Sequence, residues 1–222
     1  MMAEQPGVPL LHPIEAKDLM LATLRRTPFS QEGWLYELKY DGFRCLVRKH
    51  GASVDLISRP GKSLNRSFPD IVAAVSAVSG DFVWDAELTV DNPGGHSSFE
   101  RLQKRAKTSI PMRVRAAVKE HPARLYAFDM LAIGGRDLRG LPLIERKAFL
   151  QDSFETSDRL IFVNGIVGAG QWVFEQVQML GFEGMMAKRL DSLYRRGRTT
   201  DWQKIKFAGN GRAAAFGFGK PT

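Results

Sequence analysis

The stretch "ELKYDGFR", residues 37–44, decides the fold, because it places a polar pair and a tight turn between two strand-like runs. Before the turn, apolar side chains alternate with Glu37 and Lys39, which indicates a strand with one apolar and one polar face. The tripeptide "YDG" supplies turn chemistry, and "FRCLVRKHG" alternates again. The pattern predicts a β-hairpin followed by a third strand in "SVDLISR". Lys39 is then either a solvated edge cation or a catalytic group.

Composition limits the class of protein. The chain has 222 residues, of which 44% are hydrophobic and 25% charged, as expected of one large globular domain or one domain with an appendage. No apolar run approaches the roughly 20 residues that span a bilayer, and no signal-peptide pattern opens the chain. A single cysteine, Cys45, argues against disulfides and thiolate metal sites. We expect a cytoplasmic protein whose net charge of +8 favours a polyanionic partner.

Helical periodicity alternates with further strand-like runs. An apolar stripe follows Pro69, and Ser97 with Glu100 has capping-box spacing in "SSFERLQKRAK". Two more helices are predicted over "LPLIERKAFLQDSF" and "GQWVFEQVQMLGF", the second ending near Gly181. Strands are predicted in "FVWDAELTV", "RLYAFDMLA", "GMMAKR" and "WQKIKF". This mixed order predicts an α+β fold.

Three of the predicted strands each carry a polar pair on one face: Glu37 with Lys39, Asp85 with Glu87, and Lys204 with Lys206. If these faces line a common groove, it holds carboxylates beside several lysines. The alternative is a sheet with one solvated face, which antiparallel sheets often have. The alternation of side chains by itself favours a solvated face, so the choice between a solvated face and a groove depends on the sequence motifs.

Short motifs on these strands together resemble the nucleotidyltransferase signature of covalent ligases and messenger RNA capping enzymes. The segment "KYDGFR" (39–44) resembles KxDGxR, and the other elements follow in the family's order: "SRPG" (58–61), "DAEL" (85–88), "FERLQKR" (99–105), "AFDML" (127–131), "EGMMAK" (183–188) and "KIK" (204–206). "FERLQKR" is similar to the FxxLQxR segment of ATP-dependent DNA ligases. Seven ordered elements over residues 34–206 resemble the adenylation domain of such ligases, of the bacterial repair and end-joining type.

The resemblance implies an ATP-grasp-like nucleotidyltransferase fold, in which antiparallel sheets flanked by helices surround an ATP groove. Lys39 would attack the α-phosphate of ATP and hold AMP as a phosphoramidate, with Lys204 and Lys206 as further catalytic residues. AMP would then pass to the 5′-phosphate of a nick in double-stranded DNA, and the phosphodiester would be sealed. A lysine amine can be such a covalent catalyst when a deprotonated fraction is available.

At the base and ribose end, the resemblance places Glu37 beside the adenine and Phe128 on the adenine face. Arg44 and Arg59 would contact the ribose or nucleic-acid phosphates, and Glu87 would lie near the ribose or a metal. By residue type alone, a phenylalanine such as Phe128 is more often a core side chain than a stacking platform, and Arg59 fits a solvated turn residue beside Pro-Gly. Each role therefore depends on the residue's position in its motif.

At the phosphate end, the resemblance places Lys188, Lys204 and Lys206 on the α-phosphate. Glu87 and Glu183 would bind Mg²⁺ or Mn²⁺, because hard cations prefer carboxylate oxygens and keep several waters. Asp85 is a candidate for a structural role, and Asp129 has no assigned role. The four histidines lack ligand spacing, so no zinc site is predicted.

The sequence departs from the family after the fifth motif. Sixteen residues follow Lys206, fewer than a five-stranded OB-fold needs. We expect a wrapping segment at 1–33, an adenylation domain at 34–207 and a short tail without an OB-fold at 208–222, where "GNGRAA" is a flexible stretch. A partner protein or separate domain would supply the OB-fold function. ATP is expected rather than NAD, because the segment before Lys39 is short.

Three functional hypotheses follow. The first is a monomeric DNA ligase core that acts on nicked DNA at the bacterial nucleoid during repair. The second is an RNA ligase or capping-type nucleotidyltransferase, which "FERLQKR" argues against. The third is a catalytically inactive nucleic-acid-binding module, which the intact lysines and glutamates of the motifs argue against.

Overall fold

The fold combines twelve strands and five α-helices in the computed structural model, which describes residues 7–207. The strands are β1 Val8–Pro9, β2 Met20–Arg25, β3 Trp34–Leu38, β4 Phe43–His50, β5 Ser53–Ser58, β6 Phe82–Val90, β7 Ala123–Ile133, β8 Arg136–Asp137, β9 Leu160–Phe162, β10 Gly165–Val167, β11 Gly184–Arg189 and β12 Gly197–Lys206. The helices are α1 Pro69–Ser76, α2 Phe99–Ala106, α3 Pro111–Glu120, α4 Leu143–Ser153 and α5 Gly170–Met179. The predicted α+β class is confirmed.

The strands form two sheets. The large sheet has the order β1-β8-β7-β6-β4-β5, with β9 parallel to β7. The small sheet has the order β10-β3-β11-β12-β2, in which β2 runs parallel to β12 and the other pairs are antiparallel. Strand β2 was not predicted, and it joins the small sheet from within the expected wrapping segment. The domain boundary at residue 34 itself stays a prediction.

The predicted hairpin between β3 and β4 is wrong. Strand β3 pairs with β10 and β11 in the small sheet, whereas β4 pairs with β5 and β6 in the large one. The "YDG" turn therefore carries the chain from one sheet to the other. Alternation on both sides of a turn cannot distinguish these cases, because a strand partner is chosen by tertiary packing. The hairpin that does form is β4–β5, which includes the predicted third strand.

Three apolar clusters hold the layers together. The first lies on the outer face of the large sheet, where Ile71 and Val75 of α1 and Leu102 of α2 pack. The second fills the space between the two sheets and includes Leu46 and Trp202. The third packs α5 on the small sheet. The sheets are thus covered outside by helices and meet each other inside, which buries the inner strand faces apart from an open groove.

The helices follow the predicted order, with two differences. Helix α2 is capped by Ser98, whose hydroxyl accepts a hydrogen bond from the Arg101 backbone N–H at 3.5 Å, so the predicted Ser97 box is one residue early. Ser97 instead donates to Asp91 at 3.4 Å. Helix α3 was not predicted. The tail at 208–222, with "GNGRAA", lies outside the described residues.

Across residues 7–207, none of the helices is long and apolar enough to span a membrane.

Candidate active site

The groove between the sheets is a cavity of about 800 Å³. The small sheet contributes its inner face, because Glu37, Met186 and Lys204 are register partners on β3, β11 and β12. The large sheet contributes Arg44 and Glu87, which are opposite each other on β4 and β6. Of the three polar pairs, Glu37, Lys39, Glu87 and Lys204 line this cavity, whereas Asp85 and Lys206 are not among its lining residues, so the groove interpretation holds in part. These predicted residues line the cavity: Glu37, Lys39, Arg44, Arg59, Glu87, Phe128, Lys188 and Lys204.

One end of the groove contains the candidate nucleophile. The Lys39 Nζ lies 2.5 Å from Glu183 Oε2, and the Lys206 Nζ lies 2.5 Å from Glu183 Oε1. Glu183 thus joins the two lysines, and all three side chains are partly accessible. Burial alone would raise the pKa of Glu183, but the two ammonium groups hold that pKa below its ordinary value. We name this group the Lys39 cluster.

Two motif glycines shape the backbone around this cluster. A Cβ at Gly42, in "KYDG", would collide with the Leu88 carbonyl oxygen of β6, and the Gly42 N–H donates to Glu87 at 3.1 Å. A Cβ at Gly184, in "EGMMAK", would collide with the Ile205 carbonyl oxygen of β12. Each glycine lets two backbones approach closely, which brings the neighbouring motifs into one site.

Lys204 is the lysine of the fifth motif that remains without an ion pair among the described residues. Burial lowers the pKa of Lys204, and the nearby Lys206, Lys39, Arg198 and Arg59 cations lower it further. Arg59 is exposed at the rim, as its turn position allows. A concentration of uncompensated positive charge of this kind suits an anionic ligand such as a phosphate chain.

The other end of the groove holds a buried ion-pair chain that the sequence did not predict as a unit. Glu37 Oε1 lies 2.5 Å from the Lys147 Nζ, and Glu37 Oε2 lies 2.6 Å from the Lys188 Nζ. Burial by itself would raise the pKa of Glu37, but the two ammonium groups bring it below its ordinary value. We name these three residues the Glu37 cluster. Lys188 belongs to it rather than to the Lys39 cluster, and its phosphate contact stays a prediction.

An aromatic wall adjoins the Glu37 cluster. The Lys188 Nζ lies 4.2 Å from the Phe128 ring centroid and 4.4 Å from that of Trp202. The Arg44 Cζ lies 4.7 Å from the Phe128 centroid. Phe128 is therefore both a core residue and a lining residue, so the two interpretations of its residue type are not exclusive. Cations held at ring faces in this way are favourably placed.

The large-sheet side of the groove carries a partly buried carboxyl group, that of Glu87. Burial raises the pKa of Glu87 to about 7, although Arg44 and Lys39 act in the opposite direction. Arg44 is held by the Asp85 carboxylate, which also accepts a hydrogen bond from the Tyr194 hydroxyl at 2.5 Å. Asp85 thus orients Arg44 and has a supporting role.

Sequence reasoning missed two groups of residues around the groove. Lys147 lies within α4 in "IERKAF", and a lysine in a helix is usually expected to be solvent-exposed. Its neighbour Arg146 is fully buried and makes a two-point pair with Asp129, with 2.8 Å for each bond. Tyr194 lies in a loop between β11 and β12 with no local pattern. The signal available in the sequence was that the two adjacent cations Arg146 and Lys147 lie on the apolar side of α4, where a charged residue needs a buried partner.

The carboxylates suit a divalent metal shared with a substrate rather than a protein-only cage. Within residues 7–207, the His, Cys, Asp and Glu side chains form no group of three or more that could hold a metal ion. Mg²⁺ usually binds through one or two carboxylates together with substrate phosphate oxygens. Glu87 lines the cavity, whereas both Glu183 oxygens are paired with lysine ammonium groups, so the metal roles of the two carboxylates stay predictions.

Comparison with known proteins agrees with this geometry. A family model described as "ATP dependent DNA ligase domain" matches residues 19–206, a range that includes β2. The chain is 30% identical to a probable DNA ligase of Dictyoglomus turgidum over 208 residues, covering 82% of this chain and 36% of that protein. It is 36% identical to DNA ligase C2 of Mycolicibacterium smegmatis, covering 73% of this chain and 46% of that protein. The chain thus spans less than half the length of these curated relatives.

Solved structures give the same result for the fold. The ligase domain of M. tuberculosis LigD superposes with a TM-score of 0.73 at 27% identity, covering 88% of this chain and 61% of that one. A mycobacterial DNA ligase D complexed with ATP and MES gives a TM-score of 0.72 at 27% identity, covering 88% of this chain and 62% of that one. The motif order, the groove and these matches lead to one conclusion: the chain belongs to the ATP-dependent DNA ligase domain family.

Proposed function

We propose that this domain catalyses adenylyl transfer from ATP to a DNA 5′-phosphate through a covalent lysyl-AMP intermediate on Lys39, and supports sealing of the nick. The observation that carries the proposal is the Lys39 cluster, in which a groove lysine, a carboxylate and a second lysine meet within hydrogen-bond distance. A capping-type enzyme would use the same nucleophile with GTP, so the nucleotide distinguishes that alternative.

The first step forms a bond between the Lys39 Nζ and the α-phosphorus and breaks the bond from that phosphorus to the bridging oxygen of pyrophosphate. Lys39 has to lose a proton beforehand, and Glu183 Oε2 at 2.5 Å is within reach to accept it. Pyrophosphate leaves with the electron pair of the broken bond. Lys204 and Lys206 neutralise the charge that develops on the phosphate oxygens, which is the main demand of phosphoryl chemistry.

The Glu37 cluster and the aromatic wall form the base end of the proposed nucleotide site. Phe128 offers a ring face for the adenine, and Glu37 offers carboxylate oxygens for hydrogen bonds with the base. Arg44 and Arg59 serve the ribose or the DNA phosphates. The mycobacterial ligase D structure complexed with ATP supports ATP as the nucleotide for a fold of this kind.

Mg²⁺ or Mn²⁺ is the proposed metal, with Glu87 and Glu183 as its protein ligands. When bound, the metal would neutralise phosphate charge and act as a Lewis acid. A carboxyl ligand has to be ionised, so a Glu87 pKa of about 7 makes metal binding weaker in mildly acidic solution.

The proposed partner is nicked double-stranded DNA, bound by a monomer mainly through lysine and arginine contacts to phosphates. Such binding weakens steeply with salt. Several of the relatives are bacterial ligases, including a bifunctional non-homologous end joining protein LigD of Bacillus subtilis. We therefore place the activity in DNA repair in the bacterial cytoplasm, at the nucleoid.

Intact-mass spectrometry after incubation with ATP and Mg²⁺ tests the proposal. The wild type should gain the mass of one AMP, and Lys39→Ala and Lys39→Arg should gain none, because alanine has no amine and arginine stays protonated. Lys17→Ala is the matched control, since Lys17 forms a 2.6 Å ion pair with Glu15 at the surface. An undiminished adduct in Lys39→Ala, or an adduct with GTP in place of ATP, would contradict the assignment.

A further inference from the structure

Lys147 is a buried lysine for which the proposed reaction has so far no role. Its side chain extends from α4, and the residue is 8% exposed. Its Nζ contacts Glu37 Oε1 at 2.5 Å, the Val163 carbonyl oxygen at 2.8 Å and, more weakly, the Phe128 carbonyl oxygen at 3.4 Å. Burying a lysine is costly unless its donors are satisfied, and here all three contacts are to acceptors.

These contacts join parts of the molecule that are distant in sequence. Glu37 belongs to β3 of the small sheet, Phe128 to β7 of the large sheet, and Val163 to the connection between β9 and β10. Glu37 and Phe128 are the residues that would contact the base, and Val163 lines the same cavity. One ammonium group therefore links both walls of the groove at the base end.

We propose that Lys147 is a positioning residue of the nucleotide site, which holds the Glu37 carboxylate and the Phe128 strand in the arrangement that receives the base. The inference rests on the proposed function and assigns this residue to the base end of the same site. Lys147 acts through Glu37 and Phe128, and its role differs from that of the lysines that face the phosphates.

The charges around Glu37 give the inference a measurable consequence. Glu37 is faced by Lys147 from α4, by Lys188 from β11 and by the Tyr40 hydroxyl from the turn after β3, while Asp129 of β7 acts on Lys188. Removing Lys147 leaves Lys188 as the single cation on a buried carboxylate. The Glu37 carboxyl then takes up a proton at higher pH than in the wild type, because burial disfavours its ionised form.

A matched buried lysine lies outside the groove. Lys49 on β4 is also 8% exposed, and its Nζ donates to the Gly80 carbonyl oxygen at 2.9 Å. It makes no ion pair among the described residues, and its nearest ring is Phe82 at 5.9 Å. Lys49→Met thus controls for the loss of a buried ammonium group and of one positive charge, without touching the base end.

The experiment is calorimetric titration of wild type, Lys147→Met and Lys49→Met with Mg²⁺–ATP and, separately, with pyrophosphate, from pH 8 to pH 5. Lys147→Met should raise the Kd for ATP about tenfold or more, because the variant loses the charge-assisted hydrogen bond between Lys147 and Glu37. As the pH falls, the Kd of Lys147→Met for ATP should rise further, and this rise should begin at a higher pH than the corresponding rise in the wild type. Pyrophosphate binding should change little, because pyrophosphate has no base.

Conservative variants complete the test. Lys147→Arg keeps the charge and should restore the wild-type pH profile, whereas Lys147→Gln should behave like Lys147→Met and replaces it if that variant does not fold. An ATP Kd and pH profile like those of Lys49→Met, or equal losses for ATP and pyrophosphate, would overturn the inference. A wild type that binds ATP but forms no adduct contradicts the proposed function alone. A wild type that does not bind ATP contradicts both.

Discussion

The Arg146–Asp129 pair and the Lys39 cluster both join cations to a carboxylate, but they differ in burial. The Arg146–Asp129 pair is fully buried, and its arginine also donates to the carbonyl oxygens of Leu141 and Ser192 at 2.6 and 2.8 Å. The Lys39 cluster is open to the groove, with side-chain exposures of 17% for Lys39, 12% for Glu183 and 32% for Lys206. All three guanidinium nitrogens of Arg146 are engaged in hydrogen bonds, whereas the Lys39 cluster is partly accessible to a ligand.

The difference teaches how to separate structural from chemical charge pairs. An arginine stays protonated and presents a fixed fork, so a two-point arginine–carboxylate pair in the interior holds strands and helices in register. A lysine can lose its proton and attack, provided that its partner can be displaced or can accept the proton. Accessibility and amine chemistry together distinguish the Lys39 cluster from the Arg146–Asp129 pair.

The largest expected effect is on the free energy of unfolding and comes from a substitution that breaks the buried Arg146–Asp129 pair. Asp129→Ala should lower the free energy of unfolding by about 3–5 kcal/mol, because it leaves the Arg146 guanidinium buried without its carboxylate. Lys39→Ala should cost about 1 kcal/mol or less, since Glu183 keeps Lys206 as its partner. Urea denaturation of both variants measures the contrast. Similar losses would mean that the Lys39 cluster is as structural as the buried pair.

The next effect concerns the carboxylate of the open cluster. Glu183→Gln keeps the shape of the side chain but removes its charge, so the rate of lysyl-AMP formation should fall about 10- to 100-fold. Glu15→Gln, at the surface ion pair with Lys17, is the control and should leave the rate unchanged. Single-turnover adenylation over a range of Mg²⁺ concentrations measures this. Identical metal titration curves for wild type and Glu183→Gln would contradict the proposed metal and proton-acceptor roles.

The smallest effect concerns Glu87, which is only partly buried, unlike Asp129, and lacks an equivalent two-point partner. Its folded pKa of about 7 exceeds the ordinary value of 4.5, so the folded state holds the proton more tightly and stability falls as the pH rises between these values. Glu87→Gln should therefore raise the free energy of unfolding at pH 8 by about 1–2 kcal/mol while reducing adenylation. Denaturation in a chelator at pH 5 and pH 8 tests the sign. A variant less stable than wild type at pH 8 would contradict it.

Local pattern predicted much of the fold and went wrong where partners had to be chosen. The alternation around Glu37 and Asp85 predicted β3 and β6, and the apolar stripe after Pro69 predicted α1. The same alternation predicted a β3–β4 hairpin that does not form, because periodicity reports which faces a strand buries and carries no information about its neighbour. Strands β1, β2, β8, β9 and β10 were missed, and all of them except β2 have only two or three residues, too few to show a period.

The sequence by itself determined the class of fold, the nucleophile hypothesis and several of the residues that line the groove, because each motif is contiguous in the chain and alternate residues of a strand share a face. Tertiary structure alone decided that the "YDG" turn joins two sheets, that Lys188 lies with Glu37, and that Lys147 reaches Glu37 from 110 residues away. Such contacts depend on how sheets and helices pack, and a buried charge is placed by the partner that satisfies it rather than by its neighbours in the chain.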